Sequence, residues 1–402
     1  MNNNRLRYFM SLSFSDKCLA LLYFIALVPC SIKMFMGINA RIGLSTLNPI
    51  LEISLLITLT VLSFRSFKRE LKWWDIAVVV SIGWFVLWSP HIYPQTSIAV
   101  VEFSPYFLMY CLPYYLVGAS INTSKYEDMF DFVGYYGLLV NIFICLLAVL
   151  GMAQKLFGEG NNMELAYGVL PSLILVTRQF SQKKSNANML LVAIGILLIF
   201  ALGSRGALLS LVAFMAGYLI LFREYQNPLL SRIGILAGAG ICYLFIEPLL
   251  RLIQAITSSF GFGTRVFDMM LGGELISTDS RDWIYDLVSD YIVTDSGHIG
   301  YGLFYDRVLM GMDDSSYAHN LIYEMLLNYG VYIGTFLLLS LLLVFVINIR
   351  KTKGTLEASL LYAFFCFCII ELFFSSSYLR SPQFWLFIGI MLTTFRRIRE
   401  TN

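Results

Sequence analysis

The sequence predicts an all-α, polytopic integral membrane protein, and three observations carry that expectation. Hydrophobic residues make up 58% of the 402 residues, charged residues only 13%, and mean hydropathy is +0.72. Apolar runs of ~20 residues recur from end to end, which is what a bilayer core selects and a soluble globule does not. Clusters of Lys and Arg fall on alternate connections between those runs. With spans throughout, the whole chain, 1–402, reads as a single polytopic membrane domain. Its one long polar stretch, 251–318, reads as a large extracytoplasmic loop.

The first apolar run, 16–36, follows Arg5, Arg7 and Lys17, as the core of a signal peptide would. No small-x-small cleavage site follows, and Lys33 and Arg41 come next, so an uncleaved first span is expected. Further runs fall near 48–64, 74–90, 100–119, 129–154, 163–179, 188–202, 205–222, 232–250, 318–349, 356–376 and 382–396. These make about twelve helices of spanning character. The run 100–119 is interrupted by Pro105 and Pro113, and at Gly203-Ser204-Arg205 two spans meet almost directly.

The basic clusters Arg5/Arg7/Lys17, Arg65/Lys68/Arg69/Lys72, Arg178/Lys183/Lys184, Arg223/Arg232, Arg350/Lys351/Lys353 and Arg396/Arg397/Arg399 lie on alternate loops. With Lys125 they hold 19 of the 28 basic residues on one side. The positive-inside bias then places both termini in the cytoplasm. Segment 251–318, with ten Asp or Glu, four Arg and no Lys, falls outside. There is no basic tail of the nucleic-acid-binding kind. The seven cysteines all lie in apolar segments, so no disulfide framework or Cys-based metal site is indicated. No internal repeat is evident, which counts mildly against a secondary-transporter fold.

Within the loop, Trp283, Ile284, Leu287, Val288, Tyr291 and Ile292 share one helical face, and Asp282, Asp286, Ser289 and Asp290 the other. This predicts an amphipathic helix lying on the membrane or packed over the tops of the spans. The segment 264–271 allows a second short helix after Gly261-Phe262-Gly263.

Of the arginines at or near the outer face, against the topological bias, four are singled out: Arg205, Arg265, Arg281 and Arg380. A guanidinium is a planar, permanent charge suited to bidentate phosphate binding, so several converging would form a pyrophosphate clamp. Loop carboxylates or lipid headgroups account for any one of them equally well, except Arg205, which is wedged between two spans with almost no loop and reads as functional. Ser315 or Ser316 is placed to cap a helix that starts just before His319. Helical spacing then stacks His319, Asn320, Tyr323, Glu324 and Asn328 on one polar stripe, which must face protein or water rather than lipid. His319 has the side chain suited to proton transfer near neutrality. A lone interfacial histidine is ordinarily unremarkable, and its polar surroundings are what single this one out. Glu102, Asp131, Glu164, Glu247 and Glu371 lie in or at the edges of spans, where interfacial placement explains most of them. Asp313-Asp314 reads as a solvated loop edge rather than a metal site.

Three motifs resemble the O-antigen polymerase and O-antigen ligase superfamily of bacterial envelope assembly. They are Gly203-Ser204-Arg205-Gly206-Ala207-Leu208-Leu209, Ser280-Arg281-Asp282-x-Ile284, and His319-Asn320 with Gly330 following. The plan of about twelve spans with one large loop between late spans is similar as well. The resemblance implies a GT-C-like, metal-independent glycosyltransferase without cofactor, in the bacterial inner membrane with its site facing the periplasm. Its donor would be an oligosaccharide on undecaprenyl pyrophosphate, among membrane lipids, with a chain-length regulator protein as partner and no nucleic acid. Arg205, Arg281, Arg265 and Arg380 would bind the pyrophosphate. His319 would act as base on the acceptor hydroxyl, with Glu324 orienting it or acting in its place, and Asn320 and Tyr323 completing the polar site. The acceptor is another lipid-linked repeat unit for a polymerase, the reading favoured here, or the lipid A core for a ligase. The rival class is a polysaccharide flippase or other transporter, which predicts charges lining a path deep through the bundle.

Overall fold

A computed structural model describes residues 4–28, 48–121, 126–149, 162–182, 185–202, 204–222, 251, 254–255, 271–272, 281–294, 298–312 and 317–401. Among them every regular element is helical and no strand occurs. The expected span 232–250 and short helix 264–271 fall outside the described residues, Leu271 excepted. In chain order the principal helices are α1 (Asn4–Ser11), α2 (Phe14–Leu27), α3 (Asn48–Leu62), α4 (Phe64–Glu70), α5 (Trp73–Ile92), α6 (Ser97–Tyr106) and α7 (Leu112–Ala119). Then come α8 (Glu127–Val149), α9 (Asn162–Gln182), α10 (Asn186–Leu202), α11 (Arg205–Leu221), α12 (Asp282–Val293), α13 (Tyr305–Leu309), α14 (Leu321–Lys351), α15 (Leu356–Phe365) and α16 (Pro382–Thr401). The π-helical turns Phe107–Cys111 and Cys366–Ile370 continue α6 into α7 and extend α15.

Four helical stretches are long and apolar enough to cross a bilayer: Trp73–Ile92, Glu127–Leu147, Leu321–Lys351 and Leu356–Phe373. At 1.5 Å per residue, a 20-residue helix such as α5 reaches about 30 Å, the thickness of the hydrocarbon core. Its outward residues are Trp74, Ile76, Val80, Trp84, Leu87 and Trp88, all exposed. That surface is unfavourable in water and natural in lipid, and the chain is membrane-embedded in this sense. Local chemistry sets the helix starts. The Lys72 amide donates to Asp75 at the head of α5 (2.9 Å), and the Ser204 and Thr355 hydroxyls accept from Ala207 and Ala358 (3.4 Å each) at the heads of α11 and α15.

The chain divides into two compact units. One comprises Met1–Ala26, Leu51–Asp128 and Thr278–Asn402; the other comprises Leu27–Ile50 and Met129–Ser277. In the second, α9 packs along α10 and α11, and a buried polar network ties α8, α9 and α10. Arg178 reaches Asp131 at 3.4 Å, Gln179 donates to the same carboxylate at 2.8 Å, and Asn188 donates to Gln179 at 2.9 Å. Arg178 was expected on a cytoplasmic loop. It is instead inside α9 and fully buried, because a carboxylate on α8 replaces the water it gives up.

In the first unit, α7 and α16 pack along one another with their backbones nearly touching. A Cβ at Gly118 would lie 2.0 Å from the Leu386 carbonyl, and one at Gly389 would lie 2.2 Å from that of Tyr115. Small residues allow this approach, which is how helices associate in lipid. Asn348 on α14 adds a hydrogen bond to the Met391 carbonyl on α16 (2.7 Å).

α14 departs from the expected uninterrupted span. It begins at Leu321, and its cap is Asn320, whose side-chain oxygen accepts from the Ile322 amide at 2.9 Å. Ser315 and Ser316, expected as caps, lie outside the described residues. The helix breaks at Gly330 (φ 80°, ψ 167°), where the loop 298–302 enters. The amides of Tyr301 and Gly302 donate to the Leu327 and Asn328 carbonyls at 3.0 and 3.1 Å, taking the acceptors the break releases. A Cβ on Gly330 would lie 2.4 Å from the His298 carbonyl oxygen, so no side chain fits there. A Cβ on Gly334 would lie 2.8 Å from the Met325 carbonyl, so residues 321–329 fold back across the first turn of the span proper. The polar stripe from Tyr323 to Asn328 therefore belongs to a short separate segment and does not run down into the span.

The amphipathic helix expected in the loop is present as α12. Its buried stripe is Ile284, Val288 and Ile292, packed on Ala318 and Leu327 over residues 321–329. Trp283, expected on the apolar face, is exposed, because i, i+4, i+8 spacing leaves it outside a stripe this narrow.

Candidate functional site

One part of the first unit holds a cluster of buried charged groups, Asp306, Arg307 and Glu324. α13 starts at Phe304 and places Asp306 and Arg307 inward, each 1% exposed. The Arg307 guanidinium lies 4.8 Å from the centre of the Tyr317 ring and 5.2 Å from that of Phe103. Both are cation–π distances in a desolvated setting. Asp306 accepts from the Ala318 amide at 3.3 Å and so anchors the residue before His319. Burial pushes the Asp306 carboxyl above the usual carboxylate range, opposed by Arg307 and by backbone amides. Burial likewise pulls Arg307 below its ordinary value, opposed by Asp306 and Glu324, while the nearby charge of Arg380 adds to the lowering.

Glu324 forms the other buried wall, also 1% exposed. Both its oxygens are engaged by the loop after α15: the Ser377 hydroxyl donates to one, and the Tyr378 amide donates to the other at 3.3 Å. Asn328 donates to the Tyr378 hydroxyl at 3.2 Å. The same loop takes a hydrogen bond from Arg281 at the Phe374 carbonyl, and its Ser376 amide donates to the Tyr317 hydroxyl at 3.2 Å. Arg380 ends this loop with its guanidinium 5.5 Å from the Tyr106 ring centre. Arg281, Tyr317, His319, Tyr323 and Arg380 are all half-buried, so a half-open rim surrounds a buried ionic floor.

Backbone strain collects in the same place. Among the described residues, the non-glycine positions with left-handed φ are Phe304 (61°), Met312 (68°), His319 (52°) and Ser376 (65°), all in the loops that build this cluster. Such conformations cost about 1–3 kcal/mol each and persist where the surroundings enforce them, commonly at functional sites. His319 thus precedes the helix rather than opening it, and its ring lies against Tyr317 with centroids 3.8 Å apart.

An apolar cavity of about 460 Å³ lies directly beside this floor, between α5, α14 and α16. Phe85, Phe107, Tyr329, Leu341, Tyr378 and Trp385 are among its lining residues. Met325 and Tyr378, which also line it, are the chain neighbours of Glu324 and Ser377. The volume is that of a small-ligand pocket.

Of the residues singled out in the sequence, Arg281, His319, Asn320, Tyr323, Glu324 and Arg380 therefore come together in one unit. Arg205 opens α11 in the other unit, with its side chain outside what is described, and Arg265 lies outside the described residues, as do Asp313 and Asp314. Asn320 acts as a helix cap. Among the described residues no group of three or more His, Cys, Asp or Glu is gathered as a metal site requires. Sequence reasoning missed Asp306, Arg307, Tyr317 and Ser377. One signal was present: Arg307 is one of only four arginines in a 68-residue segment without lysine. Comparison with known protein families, with curated proteins and with solved structures finds no match to this chain.

Proposed function

We propose that this protein is a bacterial inner-membrane glycosyltransferase that transfers an oligosaccharide from undecaprenyl pyrophosphate to a hydroxyl of another lipid-linked repeat unit, an O-antigen or surface-polysaccharide polymerase. The observation that carries the reading is the arginine-bearing cluster set directly beside an apolar cavity among membrane-crossing helices. That juxtaposition fits an amphiphile with an anionic head and a hydrocarbon tail. The positive-inside bias supports placing this end on the periplasmic side, with both termini in the cytoplasm.

In this reading the rim arginines Arg281 and Arg380 hold the pyrophosphate, and buried Arg307 adds positive potential behind them without touching the substrate. The acceptor oxygen attacks the anomeric carbon, the bond from that carbon to the phosphate oxygen breaks, and its electron pair leaves on the pyrophosphate. Positioned guanidinium groups stabilise the charge that develops there. The hydroxyl proton passes to His319, whose ring is held by Tyr317. Glu324 already accepts two hydrogen bonds from the loop that carries Arg380. This favours a positioning role for Glu324 and leaves His319 as the base. Arg205 remains a clamp residue by resemblance, and Arg265 by its expected place at the outer face alone.

The test is binding and transfer by the full-length protein in lipid nanodiscs. Undecaprenyl pyrophosphate is expected to bind, and transfer from lipid-linked saccharide is expected to survive chelation of divalent ions. No binding of undecaprenyl pyrophosphate would end the reading. Movement of the saccharide across a vesicle membrane without bond formation would replace it with a transporter.

A further inference from the structure

We infer that Tyr285 of α12 and Tyr323 of the 321–329 segment form the floor on which the acceptor sugar ring rests, a subsite for a neutral or N-acetylated pyranose. The inference rests on the glycosyltransferase reading. The two phenol rings come from separate elements and stack with an offset, centroids 5.2 Å apart and planes at 30°, so that each ring braces the other. Both are half-buried, while the aliphatic residues beneath them, Val288, Ala318 and Leu327, are fully covered. The pair therefore keeps an accessible surface above a rigid base. Tyr presents a large apolar area with two rotatable bonds and a hydroxyl at its edge, which suits a ligand that is apolar on one face and polar around its rim. A pyranose is such a ligand: its axial C–H groups make an apolar face, and its hydroxyls point outward.

Position agrees with this use. Tyr285 lies one helical turn beyond Arg281, and Tyr323 lies four residues beyond His319 and one turn into the segment that Asn320 caps. A sugar resting against this pair would be held by the same two elements that follow the donor-binding arginine and the base, as an acceptor must be. The rim of the floor supplies the polar partners. At 100° per residue, Asp282, Asp286 and Ser289 lie next to Tyr285 around α12, with both carboxylates exposed and the serine half-buried. A carboxylate accepts hydrogen bonds from neighbouring sugar hydroxyls and repels a sugar that is itself a carboxylate. α12 carries Asp282, Asp286 and Asp290 and no Lys or Arg, so its polar side is also poorly suited to anionic lipid headgroups. This separates the pair from an aromatic belt at the bilayer surface.

The experiment is saturation-transfer NMR on full-length protein in nanodiscs with methyl glycosides of a neutral hexose, an N-acetylhexosamine and a hexuronic acid, and undecaprenyl pyrophosphate binding as the control. Wild type is expected to bind one of the first two and not the hexuronate. Tyr285→Leu and Tyr323→Leu, which keep apolar bulk but lose the ring, are expected to weaken saccharide binding by about 3- to 10-fold, a loss on the scale of one aromatic contact, with donor binding retained. Tyr285→Phe keeps the ring and the binding. Asp286→Asn, on an exposed face where folding is not at stake, is expected to admit the hexuronate. Saccharide binding unchanged in both leucine variants would overturn the floor. So would a wild-type protein that binds undecaprenyl pyrophosphate but none of the glycosides, and in either case the donor reading stands. If the leucine variants lose donor binding as well, the Asp286→Asn specificity decides, and an unchanged preference there overturns the subsite. Wild type that binds neither donor nor saccharide removes the reading on which the subsite rests.

Discussion

Among the described residues two arginines, Arg178 and Arg307, are fully buried, and they are buried in opposite ways. Arg178 lies in a closed network of side chains on three helices, with Asp131 accepting from both it and Gln179, and Asn188 completing the set. Asp131, Gln179 and Asn188 all sit on regular helix, and among the described residues none with left-handed φ is near them in sequence. Arg307 lies between two aromatic rings in a segment made of short helices and loops. It has two buried carboxylates near it, half-exposed arginines at the rim and a cavity alongside. The first arrangement has the form of glue between helices. The second leaves charge and space together and holds four left-handed residues to do so. Burial alone therefore says little about what a charge does; the openness of its surroundings says more.

The comparison predicts a double dissociation. His319→Ala is expected to cut transfer by about 10²–10⁴-fold, the usual worth of a general base. Donor binding and the thermal midpoint in detergent should stay near wild type, because His319 lies in a loop rather than in the packed core. Arg178→Ala is expected to do the reverse. Removing one partner of a buried pair costs about 3–5 kcal/mol of stability, so the yield of folded protein should fall while transfer per folded molecule holds. Transfer rates normalised to folded protein by size-exclusion chromatography check both. Should Arg178→Ala lower transfer per folded molecule as far as His319→Ala does, the distinction between glue and site fails.

A pair replacement sharpens the second half. Arg178→Met combined with Asp131→Leu removes both charges together and leaves neither unpaired. Such replacements are often neutral or stabilising, by about 1–4 kcal/mol. Thermal melts are expected to recover most of the stability that Arg178→Ala loses. A double variant that is stable yet inactive would show that the network serves the reaction rather than the packing.

Much of this architecture was legible in the sequence because it rests on periodicity. The starts of α5, α10, α11 and α15 fall within a few residues of the predicted runs, and α12 appears where a 3.6-residue repeat lay in the polar loop. The break in α14 was not legible. The run through 318–349 reads as one continuous helix with a polar stripe at its start, and only the entry of the loop 298–302 shows why Gly330 must be glycine. The site divides on the same line. Arg281, His319, Glu324 and Arg380 stood out by type and topological position. Asp306-Arg307 did not, since an Asp-Arg pair in a polar loop reads as solvated. Its burial comes from the fold that α12, α13 and residues 317–329 make together, which no local pattern encodes.

The smallest expected effect concerns the cavity, and it separates tail from head. Leu341 lines the cavity on α14, and its neighbour Leu342 is exposed on the same helix and faces away. Leu341→Trp puts a larger ring into space that a hydrocarbon tail would fill, whereas Leu342→Trp adds the same ring to the outside. Apolar burial is worth roughly 25 cal/mol per Å², so displacing a short stretch of tail should weaken binding of undecaprenyl pyrophosphate by about 1.4 kcal/mol, or about tenfold. A pyrophosphate whose prenyl chain is too short to reach Leu341 should bind both variants and wild type alike. Equal weakening of both ligands by Leu341→Trp would mean that the ring distorts the charged end through Met325 and Tyr378 rather than filling a tail site. No weakening of either would place the tail elsewhere, and the cavity would then be a packing defect no more informative than the closed network around Arg178.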